Sequence, residues 1–527
     1  MYINYKTVGG FEYGTVMRSV RTGGKVGKED QIYLGRVIDK EKGIFKSRER
    51  GIFVYSIGAN AFAPVPAEYI EPKLRHKTKY PARPKLIVSF GDLYLLDKYV
   101  RKCGFADAVD ATNFRNKDTL HALLAYYILS VHANCHAEDW WNLTYARILY
   151  PKAQMSSQRV SDALADIGSE EAKRGFFKEY FRFLEHRETS GGIKNFDGMD
   201  DGILIDSSGL PNALRLPLTA VNTHNGVVSE EIRLIYVVQQ RTGLPLFFRY
   251  VAGNVIDVST LTRTIAELKA NGINTKFAIL DAGYYTGKNA DALLDAKVSF
   301  VSRLKSNLRI YKQAVKEHLT NLEAKENLVR YNKRLIYIKC VPCGIGAKEN
   351  RPAYAYICKD LTMKNELQRH LVERAEDESI SCDEIYDAMQ GHGVFMLISS
   401  RRISKENILP LYYTRDQVEK VFELCKQGAK ILPVNVETEA TFRGHLMMTF
   451  MAAVLLKMMS EHLKGTSLTT KSMFMILHEQ HAAIYDDQLI TTEPVRKMNE
   501  AYKAFGFTCP DSLPFNKDDV DPILLGS

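Results

Sequence analysis

Cysteine is scarce: 8 residues in a chain of 527 do not make a disulfide framework. A long apolar run is missing too. The longest, Leu446 to Leu456, is interrupted by Thr449 and stops at Lys457, too short for a membrane span and suited to a buried helix. The opening residues, Met1-Tyr2-Ile3-Asn4-Tyr5-Lys6, lack the apolar stretch of a secretion signal. There is no internal repeat and no low-complexity tract. Nor does either charge dominate: 71 Lys and Arg face 62 Asp and Glu, a net charge of +9. So modest an excess permits nucleic-acid binding without establishing it. These absences exclude a disulfide-stapled module and a membrane-spanning chain, and they predict a cytoplasmic protein.

With hydrophobic residues at 45% and charged residues at 25%, the chain reads as a soluble, folded, multidomain protein. Residues 1–72 are rich in Tyr, Val, Ile and Gly, and segments such as Gln31–Gly35 and Ile52–Ile57 read as short strands. A basic, proline-containing link follows, with Lys73, Arg75, His76, Lys77, Lys79, Arg83 and Lys85; it reads as a solvated tether or as a phosphate-contacting arm. Residues 73–190 are otherwise helical in pattern, with Leu120, Leu123, Leu124, Tyr127 and Ile128 at helical spacing. A shorter helix is predicted from Ser157 to Ile167, with Ser156 or Ser157 as its cap and Gln158, Arg159 and Ser161 near its start. That set is compatible with a helix-turn-helix reader of DNA, or with an ordinary helical bundle. A Gly- and Asp-rich link, Thr189 to Gly202, marks a boundary.

Beyond it the period changes. Ile203-Leu204-Ile205, Ile232 to Val238 and Leu246-Phe247-Phe248 are strand-like, with Asn225-Gly226 and Thr242-Gly243 where hairpin turns belong. A helix over 258–271, a strand at Phe277–Leu280, a helix over 286–296 and a strand at Val298–Val301 come next. Three strands, then helix, strand, helix, strand, is the order of an RNase-H-like mixed sheet, an α/β core predicted over 200–305. A β-rich insertion, 306–392, interrupts it. The core resumes over 393–465 with a strand at Val394–Ser399 and a helix from about Arg415 to Gln427, and 466–527 reads as helical.

Two carboxylates stand just past buried strands: Asp206 after Ile203-Leu204-Ile205, and Asp281 after Ala278-Ile279-Leu280. Singly, each is commonly a turn residue or a helix cap; as a pair in this order they form a rigid presentation of metal-ligating oxygens at a sheet edge. A third, Glu419, is on the predicted 415–427 helix. At 100° per residue Arg415, Glu419, Phe422 and Lys426 fall within a sector of roughly 60°, and Tyr412 joins its edge if the turn extends back that far. Val418, Val421, Leu424 and Cys425 form the neighbouring apolar stripe. The bland alternative is a solvated ion pair between Arg415 and Glu419, four residues apart. The chemical one is an acid for metal beside bases for phosphate.

Tyr412, Arg415, Glu419 and Lys426 stand as Tyr, two residues, Arg, three, Glu, six, Lys. This spacing resembles the Tyr-Arg-Glu-Lys signature of bacterial insertion-sequence transposases of the DDE class. Asp281-Ala282-Gly283-Tyr284 is similar to their second motif and Asp206 to their first, while Arg443-Gly444-His445-Leu446, opening an apolar helix, is also similar. The resemblance covers about 200–460. It implies catalytic, metal-ligating roles for Asp206, Asp281 and Glu419 with two Mg²⁺ ions (Mn²⁺ as a substitute), and DNA-phosphate contacts from Tyr412, Arg415 and Lys426. The implied partners are terminal inverted repeats, target DNA and a second copy of the chain in a synaptic complex, with no membrane; the implied location is the nucleoid. The implied activity is end cleavage and strand transfer; a nuclease without strand transfer and a non-catalytic DNA-binding derivative are the alternatives. One departure concerns tryptophan, which some relatives place in the insertion to hold a flipped base. Here the only two are Trp140 and Trp141, and Tyr311, Tyr331, Tyr337, Tyr354 and Tyr356 read as strand residues, which leaves a hairpin route open.

Weaker signals remain. Arg303 and Lys305, after the Val298–Val301 strand, are candidate DNA contacts or solvated ends. Cys340 and Cys343 have metal-ligand spacing, but Cys358 and Cys382 do not repeat it. His132 and His136, and His478 and His481, lack the partners or spacing of a metal site.

Overall fold

The computed structural model describes residues 1–514 except 9–10, 23–24, 67–83, 191–201, 213–215, 225–226, 256, 274, 367–368, 370–391, 433, 435 and 486–487. The basic link apart from Lys85, most of the Thr189–Gly202 link, Asn225-Gly226 and Cys382 therefore lie outside the described residues. The chain divides into two compact units, Met1–Arg83 and Pro84–Ser527.

The first unit is a six-stranded antiparallel meander: β1 (Tyr2–Val8), β2 (Phe11–Thr22), β3 (Lys25–Asp39), β4 (Ile44–Ser47), β5 (Gly51–Ser56) and β6 (Ala61–Pro64). Val16, Leu34, Phe45, Phe53 and Tyr55 make its small core. The pairing shifts between Gly14 and Thr15, opposite Gly35. Gly35 has φ of +86°, and a Cβ there would lie 2.3 Å from the Lys46 carbonyl oxygen, so glycine is required.

The second unit opens with β7 (Leu86–Ser89) and continues helically to Ser190. The predicted face of the Lys117–Leu129 helix is buried through Leu120, Leu123, Leu124, Tyr127 and Ile128. The Ser157–Ile167 helix spans the predicted residues, with Ser156 at the cap position although its side chain makes no capping bond.

A ten-stranded mixed sheet forms the centre. Its first strands are β8 (Gly202–Pro211), β9 (Ala220–His224), β10 (Val227–Gln239) and β11 (Pro245–Ala252). Long β10 pairs antiparallel with β8 along one edge and with β9 and then β11 along the other, since Glu231 faces Pro211 of β8 and Ala220 of β9 at once. The β10–β11 turn includes Thr242-Gly243, as expected, with Gly243 at φ +69°. The Asp257–Ala270 helix then leads to β12 (Phe277–Leu280), and the Gly287–Asp295 helix leads to β13 (Ser299–Arg303). β12 runs parallel to both β8 and β13. Flanked on both edges and covered on both faces, β8 and β12 need unbroken apolar runs, and Ile203–Ile205 and Phe277–Leu280 are all buried.

The stretch expected as a separate β-rich insertion joins this same sheet. It comprises β14 (Leu328–Tyr331), β15 (Arg334–Ile345) and β16 (Arg351–Asp360), and β17 (Val394–Ser399) links them to β13, giving the order β11-β10-β8-β12-β13-β17-β16-β15-β14. β18 (His481–Ile484), β19 (Gln488–Thr491) and β20 (Ser512–Pro514) form a third sheet with β7. Residues 466–527, read as wholly helical, thus contribute strands, because β7 supplies a distant pairing edge that local periodicity does not reveal.

The Glu439–His462 helix, which contains the longest apolar run, is the core helix. Thr438 and Thr441 cap it reciprocally. It alone among the described residues is long and apolar enough to cross a membrane, and its apolar window is 89% buried inside the protein. Phe450 stacks on Tyr236 of β10 at 6.0 Å. On another face, a Cβ at Gly444 would sit 1.8 Å from the Leu164 carbonyl oxygen, so the Ser157–Ile167 helix packs backbone to backbone there.

Candidate active site

Register alone places two acids side by side. Ile205 of β8 is opposite Leu280 of β12, so Asp206 and Asp281 are the next residues along two adjacent parallel strands. At Asp206 β8 loses β12 as a neighbour but keeps β10, with Asp206 opposite Tyr236. The strand stays paired on that edge while its side chain stays mostly buried, and Asp206 Oδ1 accepts the Ser207 backbone N–H at 2.8 Å. Asp281 stands at the cap position of a short 3₁₀ turn, Ala282–Tyr284, with no side-chain capping bond, and its carbonyl accepts from the Ser302 hydroxyl at 3.3 Å.

The third acid comes from the Asp416–Gly428 helix, which lies across β8 and β10. Val418, Val421 and Cys425 bury its inner face, as the stripe predicts. Cys425 Sγ is 3.5 Å from Tyr236 Oη, and the Gln417 amide donates to the Gln240 carbonyl at 2.9 Å. Phe422, placed by the wheel with the polar group, is buried instead and packs edge-on against Tyr236 at 5.2 Å. Leu424, placed in the apolar stripe, is half-buried.

Tyr412 is not on this helix. It belongs to the preceding Lys405–Tyr413 helix, and a turn at Thr414-Arg415 separates the two. It still arrives beside the cluster, because that turn folds it back over the strand ends. Its side chain is buried; burial pushes the phenol well above its usual range, and the Asp281 charge adds to this, so the hydroxyl stays protonated and able to donate.

Arg415 joins the acids. Nη1 is 3.1 Å from Asp206 Oδ2 and 3.6 Å from Asp281 Oδ1, while Nη2 is 2.9 Å from Glu419 Oε1. The pair with Glu419 is thus the helical neighbour contact, and the same guanidinium also holds both strand-end acids. Burial works to lower the Arg415 pKa; the charges of Asp281, Asp206 and Glu419 outweigh it and hold it above its ordinary value. About three helical turns on from Arg415, Lys426 Nζ donates to Ser208 Oγ at 3.1 Å, tying the helix to β8 two residues past Asp206. Ser208 drew no attention in the sequence, although two residues along a strand from Asp206 puts it on the same face.

Arg303 ends β13 with its guanidinium 5.2 Å from the Phe395 ring centre, and its charge acts on Tyr412. Lys305 is exposed. Of the insertion tyrosines, Tyr331 stacks on Tyr413 at 5.5 Å and Tyr356 donates to the Ile403 carbonyl at 2.7 Å. Tyr311 is on a helix, Arg309–His318, rather than a strand. Cys340 and Cys343 are on β15 as free thiols, and His478 pairs with buried Asp92 at 2.8 Å.

Among the described residues no group of three His, Cys, Asp or Glu stands at metal-ligand spacing. The reason is visible: the guanidinium sits among the three acids. The donor set itself suits a hard divalent cation, since it is all carboxylate oxygen and carries three negative charges against one shared positive group. A cavity of about 800 Å³, lined by Trp140, Leu143, Leu424 and Phe474, opens elsewhere, and none of the three acids lines it.

Residues 198–455 match the family described as the transposase DDE domain. The match includes all three acids, Tyr412, Arg415 and Lys426, and it supports a DDE-type transposase. Among solved structures, a piggyBac transposase synaptic complex with hairpin DNA is similar at 12% identity and a TM-score of 0.37, over 73% of this chain and 78% of that one. No curated protein matches the sequence.

Proposed function

We propose that this chain is a DDE transposase that cleaves DNA at the ends of an insertion sequence and joins them to target DNA. The observation that carries this reading is the meeting of Asp206, Asp281 and Glu419 on one guanidinium, from two adjacent strand ends and one helix. The strand order β11-β10-β8-β12-β13, with β12 parallel to β8, supports an RNase-H-like core over 200–305 and 393–465. In this reading 306–392 is the insertion, 73–190 binds the element ends, and 1–72 and 466–527 flank them.

Asp206 is the central ligand, since it is the least exposed of the three acids, with Asp281 and Glu419 on either side. Two divalent cations, Mg²⁺ or Mn²⁺, supply there the charge neutralisation and Lewis acidity that an in-line attack on phosphorus requires. Arg415 and Lys426 present cations to the non-bridging phosphate oxygens, Arg415 through its two-pronged geometry and Lys426 as a point charge. Tyr412 adds a neutral hydroxyl donor beside Asp281, and Arg303 and Lys305 extend the basic edge. The partners are the terminal inverted repeats, the target DNA and a second copy of the chain, so that both ends are held in one complex within the nucleoid.

The test is cleavage and joining of DNA taken from the flanks of the gene, with Mg²⁺ and the full chain. Asp281→Ala should reduce both reactions by at least about a thousandfold while end binding in a gel shift persists. Unchanged cleavage removes the site assignment. Cutting without joining of pre-cleaved ends makes the protein a nuclease instead.

A further inference from the structure

We propose that Arg415 is a latch on the carboxylate cluster: in the free protein its guanidinium fills the space between Asp206, Asp281 and Glu419, and a divalent cation enters only by displacing it. This inference rests on the metal-binding reading of those acids and adds how access to them is controlled. Nη1 alone contacts both strand-end acids, at 3.1 and 3.6 Å, so those two oxygens lie no farther apart than the two contacts laid end to end. A nitrogen occupies the space between them, and a cation holding oxygens at about 2.0–2.1 Å would draw the two acids closer once that nitrogen leaves. An arginine does not clear such a position by losing its proton, so it must move as a whole.

The geometry provides a way out. Arg415 lies in the turn between two helices with its backbone N–H held by the Tyr412 carbonyl at 3.1 Å, so the way out is rotation of the long side chain rather than movement of the backbone. Its partner Glu419 is the most exposed of the three acids, with 57% of its side chain open against 16% for Asp206. Swinging outward along Glu419 takes the guanidinium toward solvent, on the side where Lys426 stands. A DNA phosphate arriving there offers the fork two oxygens, as a carboxylate does, and brings with it the negative field of the neighbouring phosphates along the strand. Phosphate binding and cation entry then favour one another: the first draws the guanidinium away from the oxygens the second requires. Free protein is correspondingly a poor cation binder, which restrains phosphodiester cleavage away from a loaded DNA.

The experiment is a Mn²⁺ titration of the full chain without DNA, with free Mn²⁺ followed by electron paramagnetic resonance. Arg415→Gln should bind Mn²⁺ at least about tenfold tighter than wild type, a change of roughly 1.4 kcal/mol. Lys426→Gln removes a nearby charge that contacts Ser208 and no acid, so it should change affinity less than about threefold. Arg415→Lys keeps the charge but reaches fewer acids at once, and should fall between; it carries the test if the Gln variant does not fold. Equal tightening in Arg415→Gln and Lys426→Gln overturns the latch in favour of general charge. Unchanged affinity in both Arg415 variants, with binding lost in Asp206→Asn, overturns the latch and leaves the metal site standing. Full Mn²⁺ affinity in Asp206→Asn removes the site and the latch together.

Discussion

The Asp416–Gly428 helix has a cation at each end, and the two are held in opposite ways. Arg415, before the first turn, stands where the helix dipole disfavours positive charge, and three carboxylates keep it there. Lys430, just past the last turn, stands where the dipole favours it, yet none of the ion pairs among the described residues involves it. Its backbone is left-handed, at φ +53°. Its amine donates to the His132 carbonyl at 2.7 Å and lies 3.0 Å from the Tyr126 ring centre. Burial pulls that amine down to about 6. One end holds charge in surplus, ready for exchange; the other has been packed until charge is a burden.

The packed end extends into the core helix. Tyr127 Oη is 2.8 Å from His445 Nδ1 and accepts from the Asn134 amide at 3.3 Å. Nε2 of His445 faces the Ile431 carbonyl at 3.5 Å, which can only accept, so Nε2 carries the proton of the neutral ring and Nδ1 accepts from the Tyr127 hydroxyl. Burial agrees, lowering His445 to about 4. The Arg443-Gly444-His445 segment, recognised in the sequence as a resemblance, is thus a packing device: Gly444 admits a neighbouring backbone and His445 anchors a buried hydrogen-bond chain.

The largest effect that would break this contrast is steric. Gly444→Ala sets a methyl against the Leu164 carbonyl and should lower stability by about 3 kcal/mol in urea unfolding. Arg415→Gln should change it by less than about 1 kcal/mol, because its partners are half-open to solvent. Comparable losses in the two variants would erase the distinction between the ends.

A smaller effect sharpens it through pH. Lys430 has a folded value near 6, below its ordinary 10.5, so between them the folded chain holds fewer protons than the unfolded one. Stability must therefore rise as pH increases above about 6, by up to about 1.4 kcal/mol per pH unit for one proton. His445 acts in the same direction between about 4 and 6.5. Unfolding free energies measured from pH 6 to 9 should show the rise in wild type and in Arg415→Gln, and a flatter course in Lys430→Met. An undiminished slope in Lys430→Met would mean that the amine is not held in this way.

What could be read from the sequence follows the range of each signal. Asp206 and Asp281 were legible because a buried strand end is marked by a local apolar run meeting a polar residue. Arg415 and Glu419 were legible because a spacing of four is one helical turn. That Tyr412 belongs to a separate helix was not, since the turn at Thr414-Arg415 contains neither Gly nor Pro. The joining of β14 to β16 to the central sheet through β17, and of β18 to β7, depends on pairings across long stretches of chain, and a strand's partner leaves no trace in its own period. Lys430 was invisible for a related reason: its burial is supplied by Tyr126 and His132, three hundred residues away in sequence but touching in space.

The central claim is that three separated acids form one cation-binding cluster, and anomalous diffraction from Mn²⁺-soaked crystals tests it most directly. The account predicts a manganese peak coordinated by Asp206 together with Asp281 or Glu419, and Arg415 withdrawn from the position it holds here. A peak elsewhere, or none beside these acids at a Mn²⁺ concentration that saturates the protein in solution, would contradict it.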